Sequence, residues 1–201
     1  MIKQANRKRK RDSSVAQGTT SQDVLAAAFA TDLGWMAIAH QAGVMRGIVF
    51  GHADRIRAVK ALELNLERDG GSSLVIDWLE LSEQPAAIVD AAERLVRFSQ
   101  GESVDFSDVV VDESHLTQFG KRIVQACRRI PAGQTRGYGE LAAESGSPGA
   151  ARAVGQVMAR NRYPLVVPCH RVLAAGGRIG GFSAPQGLVM KRRLLDLEQS
   201  K

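Results

Sequence analysis

Two cysteines among 201 residues leave this chain no covalent framework, so whatever it folds into must be held by an apolar core. One disulfide at most can join Cys127 to Cys169, and a four-cysteine zinc site is excluded. With 44% hydrophobic and 24% charged residues the chain is not wholly disordered, and its length suits one large domain or two small ones. No apolar run approaches the ~18 residues of a membrane span, and no apolar signal region follows the charged N-terminus. The expectation is a soluble intracellular protein.

The net charge of +6 conceals three segments. Residues 1–22 carry six basic side chains against one acid; residues 23–114 carry seven against sixteen; residues 115–201 carry fourteen against four. An acidic half is thus joined to a basic half, behind a short basic tail. A basic domain of this kind is the electrostatic footprint of something that sits on phosphates, although a solvated basic surface would read the same way. The tail, with Arg7 to Arg11 running into Gly18-Thr19-Thr20-Ser21, is expected to be disordered. It can serve as a nuclear-import signal, a nonspecific nucleic-acid arm or a solubilising segment.

Periodicity predicts the elements. In the acidic half, Gly34 to Ala39 and Val44 to Phe50 flank a turn and read as a hairpin. Ala53 to Leu66 reads as an amphipathic helix ended by Asp69-Gly70-Gly71, Ser73 to Leu79 as a strand, Gln84-Pro85 to Gly101 as a second helix, and Val104 to Val111 as a last strand. No residue cluster in this half suggests chemistry. In the basic half, Leu116 to Ile130 places Phe119, Ile123, Ala126 and Cys127 on one helical face, which makes Cys127 a buried small hydrophobe. Tyr138 to Glu144 and Gly149 to Asn161 form two more helices around a Gly-containing turn, in helix-turn-helix form. Ala150, Ala151, Ala153 and Gly155 leave the second of these bare around Arg152. Such a surface fits close protein packing, and equally an arginine inserted into a DNA groove.

The chemistry gathers further on. Leu165-Val166-Val167 reads as a buried strand that delivers Pro168-Cys169-His170-Arg171-Val172. An unperturbed thiol is only a few per cent ionised at neutral pH, so a nucleophilic cysteine needs a base or a positive charge nearby, and His170 is the evident supplier. Neighbours on a strand face opposite ways, so His170 has to act through a bent backbone or a water. Glu198, one of four acids in the basic half, is the candidate to orient the imidazole. By residue type alone, Cys-His-acid suits a hydrolase as readily as a transferase.

The Pro168 to Val172 motif resembles the active-site signature of the methylated-DNA–protein-cysteine methyltransferases, also called O6-alkylguanine-DNA alkyltransferases. The resemblance spans about 80 residues: Phe119, Ile130-Pro131-Ala132-Gly133, Tyr138 to Ala142, Ala150 to Gly155, Asn161, the motif itself, Gly180-Gly181-Phe182-Ser183, and Lys191 through Leu194-Leu195 to Glu198. It implies an α/β (α+β) chain of two domains. These are a ribonuclease-H-like domain over residues 23–114 and a mainly helical, winged helix-turn-helix-type alkyl-acceptor domain over 115–201. The implied activity is single-turnover repair of O6-alkylguanine in double-stranded DNA, with O4-alkylthymine a second candidate substrate.

Residue by residue, the resemblance makes Cys169 the acceptor, His170 its base, Glu198 the group that orients His170, and Asn161 a hydrogen-bonding brace. Tyr138 would press a phosphate outward and protonate the departing guanine. Arg152 would enter the base stack from the minor groove, with Ala150, Ala151 and Gly155 alongside it on the DNA. Met158 and Phe182 would wall the base, Val172 and Gly180 would contact it through the backbone, Ser183 would face its 6-oxygen, and Lys191 would orient that loop. The implied protein is monomeric and needs no cofactor and no metal. It would be cytoplasmic and nucleoid-associated in a prokaryote, or nuclear in a eukaryote. Three positions depart from the pattern: Phe182 stands where Tyr is usual, Gly137 where Ser is common, and Val124 where Trp occurs. None removes a catalytic group.

Overall fold

A computed structural model describes residues 23–68 and 75–199. The basic tail and the Asp69-Gly70-Gly71 helix stop lie outside the described residues. The hairpin is present as β2 (Gly34–Gln41) and β3 (Val44–His52), paired antiparallel. Ala42 and Gly43 both take positive φ, 50° and 81°, as a two-residue turn matched to strand twist requires. A further strand, β1 (Val24–Thr31), pairs antiparallel with β2, and β4 (Ile76–Trp78) lies parallel to β1, giving the order β3-β2-β1-β4. Sequence periodicity misses β1 because its alanines carry no alternation and favour helix in isolation. Pairing with β2, not local preference, makes it a strand.

The sheet buries both faces. Ala26, Ala37 and Ala39 point to one side, where Ala58, Leu62 and Leu66 of α1 (Arg55–Glu67) cover them; Asp54 caps that helix by accepting from Arg57 N at 2.8 Å. Ala27, Met36, Ile38, Ile48 and Phe50 point to the other side and meet Ile88, Ala92, Leu95 and Phe98 of α2 (Ala86–Ser99). The same apolar cluster continues into the basic half through Ile123, Cys127, Val167, Cys169 and Leu194. Acidic and basic halves therefore share a core.

The expected strand over Val104 to Val111 does not form. Asp105 accepts from the backbone and hydroxyl of Ser107, while Arg94 grips Asp108 with two hydrogen bonds, so local polar bonds hold this stretch in turns. Only its end is extended: Met45 N donates to Val110 O and Asp112 N to Met45 O, while Ile48 N donates to Arg162 O. These bonds cover the outer edge of β3, which would otherwise be open for pairing.

In the basic half, α3 (Gln118–Arg128) is capped by Thr117, and α4 (Tyr138–Glu144) and α5 (Ala151–Ala159) pack against it. Cys127 is fully buried in α3, and both cysteines are free. Two short strands, β5 (Arg136–Gly137) and β6 (Val172–Leu173), pair in parallel. The chain ends in α6 (Leu188–Gln199). Leu165 to Val167 is not a strand either: Pro164 and Pro168 remove ladder donors, Leu165 takes φ 75°, and Val167 N turns back to Tyr163 O at 2.7 Å. No helix among the described residues is long and apolar enough to cross a membrane.

Candidate active site

Cys169 opens a 3-10 turn over Cys169–Arg171 rather than ending a strand. The tight turn supplies the bent backbone that lets consecutive residues serve one site. Upstream, Asn161 Nδ2 donates to Val167 O at 2.8 Å and Asn161 Oδ1 accepts from Tyr163 N at 3.0 Å, so one amide pins both ends of the loop leading to the thiol. Burial pushes the Cys169 thiol above its ordinary value; hydrogen bonding from Asn161 and the charge of Lys191 pull the other way. The resting group is therefore a thiol, and its reaction needs a base.

His170 is buried, and its Nε2 lies 2.8 Å from Glu198 Oε1 on α6. Glu198 also accepts from Arg171 Nε at 3.0 Å, from a terminal nitrogen of Arg171 at 2.8 Å, and from Gly133 N at 3.2 Å. Burial pushes the Glu198 carboxyl up, but hydrogen bonds from His170 and Arg171 outweigh it and hold its pKa at about 2. An ionised carboxylate can only accept, so Nε2 of His170 carries the proton and the neutral ring keeps Nδ1 free to act as a base. Burial lowers the His170 pKa against the pull of Glu198, which keeps the ring neutral near pH 7. Phe98 of α2, 6.3 Å away between ring centroids, is part of that apolar cover.

Arg171 stands in the motif, yet sequence reasoning gave it no role. It holds Glu198 and donates to Ile130 O at 2.6 Å, tying α6 and the end of α3 to the catalytic turn. The signal was available in the scarcity of acids in this half: an arginine beside the site has few carboxylates to choose from. Lys191 is fully buried and donates to Val172 O at 2.6 Å, with its charge 5.9 Å from the Phe182 ring centre. A carbonyl has two lone pairs, so Val172 O can still accept from a bound base.

The remaining residues assemble around this centre. Pairing of β5 with β6 sets Tyr138, the first residue of α4, beside the strand that follows Cys169. A Cβ at Gly180 would lie 3.3 Å from the Tyr138 ring, and one at Gly155 4.0 Å, so the tyrosine is held between α5 and the 180s loop by residues that have no side chain. Glu140 accepts from Gly137 N at 2.6 Å and secures the start of α4 without the serine usual at Gly137. Met158 is buried on α5, Phe182 stacks edge-on against Phe50 at 6.3 Å, and Ser183 is exposed. Arg152 is exposed on α5, with half-buried Ala150 and Ala151 preceding it.

A family model described as 6-O-methylguanine DNA methyltransferase, DNA binding domain, matches residues 118–200. The methylated-DNA–protein-cysteine methyltransferase of Mycobacterium tuberculosis is 43% identical over 117 residues, 58% of this chain and 68% of that protein. The constitutive enzyme of Bacillus subtilis is 34% identical over 129 residues, 62% of this chain and 76% of its own. Among solved structures, Mycobacterium tuberculosis OGT in complex with DNA is similar at a TM-score of 0.67 and 30% identity, covering 88% of this chain and 93% of that one. The O6-methylguanine-DNA methyltransferase of Pyrococcus kodakaraensis gives a TM-score of 0.63 at 28% identity, covering 87% and 98%. At 43% and 34% identity to relatives of which it covers 68% and 76%, the chain belongs to the methylated-DNA–protein-cysteine methyltransferase family.

Proposed function

We propose that this chain restores guanine in alkylated duplex DNA by moving the alkyl group from the guanine 6-oxygen onto its own Cys169. The observation that carries the reading is the buried His170–Glu198–Arg171 network beside a protonated thiol. His170 Nδ1 takes the thiol proton through a bridging water, the sulfur attacks the alkyl carbon in line, a carbon–sulfur bond forms and the carbon–oxygen bond breaks. The departing guanine takes a proton from Tyr138. A thioether leaves no group to regenerate the thiol, so each molecule acts once.

The target base must leave the stack to reach a buried sulfur. Arg152 fills its place from the minor groove, Ala150, Ala151 and Gly155 let the backbone of α5 approach the strand, and Tyr138 presses the adjoining phosphate outward. Met158 and Phe182 sandwich the extruded base; Val172 O, the Gly180 backbone and Ser183 read its edges; and Asn161 and Lys191 hold the walls. In this reading residues 115–201 are a winged helix-turn-helix-type domain and residues 23–114 a ribonuclease-H-like domain packed behind it. The protein acts as a monomer on double-stranded DNA, without cofactor or metal, in whichever compartment holds the DNA. The excess of basic groups in residues 115–201 suits that partner, and a relative solved in complex with DNA supports it.

Methyl-labelled DNA in excess tests the reaction class. Label should reach a plateau at no more than one methyl per protein, and Cys169→Ala should take up none. Continued turnover, or labelling of the alanine variant, would reject single-step transfer to Cys169.

A further inference from the structure

A groove of about 750 Å³ lies beside α5, where the two halves of the chain meet. Gln156 and Arg160 stand on one wall and Thr117 and Phe119 on another, while Arg68, the residue that ends α1, reaches it from the acidic half. No carboxylate lines it among the described residues, although acids outnumber basic groups sixteen to seven in the half that supplies Arg68. Arginines that hold this fold together are paired with acids, as Arg46 is with Asp112 at 3.1 Å and Arg94 with Asp108 at 2.6 Å. Arg68 and Arg160 differ. Both are exposed, and among the described residues neither guanidinium has a hydrogen-bond or ion-pair partner. With buried Arg162 they place three like charges around one groove, an arrangement that an anion between them would relieve.

Arg68 also borders the cavity beside Cys169, so it stands where that cavity and the groove meet. Arg160 follows Arg152 by eight residues, about 12 Å along a helix, which spans three or four nucleotides of one strand at ~3.4 Å of axis each. Resting on the alkyl-transfer reading above, we propose that this groove carries the sugar-phosphate backbone of the alkylated strand beyond the extruded nucleotide, with Arg160 and Arg68 on its phosphates. Guanidinium forks match phosphate oxygens, and the groove offers the polyanion no opposing carboxylate. The acidic half then takes part in DNA binding through a single arginine, and α1 is the element that delivers it.

Binding of an unmodified duplex of 20 base pairs, measured from 50 to 200 mM salt, tests this. Each phosphate contact contributes about 0.9 to the slope of log affinity against log salt. Arg68→Ala and Arg160→Ala should each lower the slope by about one and weaken binding about five- to tenfold in 0.1 M salt, while reaction with free O6-methylguanine stays that of the parent. Arg68→Lys should retain the parent slope, and so should Lys60→Ala, which removes a charge from the exposed side of α1 away from the groove. Arg68→Gln gives a second neutral variant should alanine disturb the end of the helix. A parent slope in either neutral Arg68 variant or in Arg160→Ala, or an equal fall in Lys60→Ala, overturns the inference and leaves the function standing. A parent that takes no methyl group from an O6-methylguanine duplex overturns the function itself.

Discussion

Arg152→Ala should slow repair of O6-methylguanine in duplex DNA by about a hundredfold or more, while reaction with the free modified base changes little. Unstacking and unpairing a nucleotide costs a few kcal/mol, and each 1.4 kcal/mol is a factor of ten. An arginine that occupies the vacated place offsets much of that cost, and alanine at the same position offers neither volume nor charge. Arg152 is exposed on α5 and its neighbours Ala150, Ala151 and Gly155 are small, so nothing in the fold depends on its side chain. Denaturation midpoints of the two proteins should coincide. Equal loss on duplex and free base would mean that Arg152 acts on chemistry or folding rather than on base extrusion.

Glu198→Gln has the second large effect, and it should appear in both rate and stability. The amide carries no charge to set against Arg171 and offers His170 a weaker acceptor, so transfer should fall about a hundredfold. Removing one partner of a buried ion pair costs about 3–5 kcal/mol, which urea denaturation near pH 7 would register. The pH dependence follows from the shifts. Glu198 titrates near 4.5 when unfolded and at about 2 when folded, so its contribution, roughly 3 kcal/mol, is complete above pH 4.5 and is lost as pH falls toward 2. The stability gap between parent and variant should therefore close over that window. His170, lowered from 6.5 by burial, destabilises the folded state as pH drops below 6.5, in both proteins. Parent transfer activity should persist below pH 6.5 and fall only when the buried ring protonates. A gap that stays constant from pH 7 to pH 2 would contradict the depressed carboxyl.

The site was more legible than the fold around it. Cys169, His170 and Glu198 were singled out because a thiol that must react needs a base and the base needs an anchor, but these residue types suit a hydrolase as readily as a transferase, and only the resemblance of the Pro168 to Val172 motif chose between them. The structure places His170 and Glu198 2.8 Å apart across 28 residues. Hairpin and helices were readable from periodicity, while β1 was not, since Ala26 to Ala28 become a strand only through β2. Val104 to Val111 and Leu165 to Val167 misled for a related reason: β-branched runs suggest strands, but Asp105, Arg94 and the flanking prolines supply competing bonds or remove donors. Arg171 was only hinted at by the scarcity of acids in the basic half, because its role depends on contacts with Glu198 of α6 and Ile130, 27 and 41 residues away, which no local pattern encodes.

Intact-mass measurement after incubation with an O6-methylguanine duplex tests the central claim most directly. The protein should gain the mass of one methylene and no more, peptide mapping should place it on Cys169, and the recovered DNA should contain unmodified guanine. An unchanged protein mass alongside repaired DNA, or the added mass on Cys127 or any other residue, would contradict it.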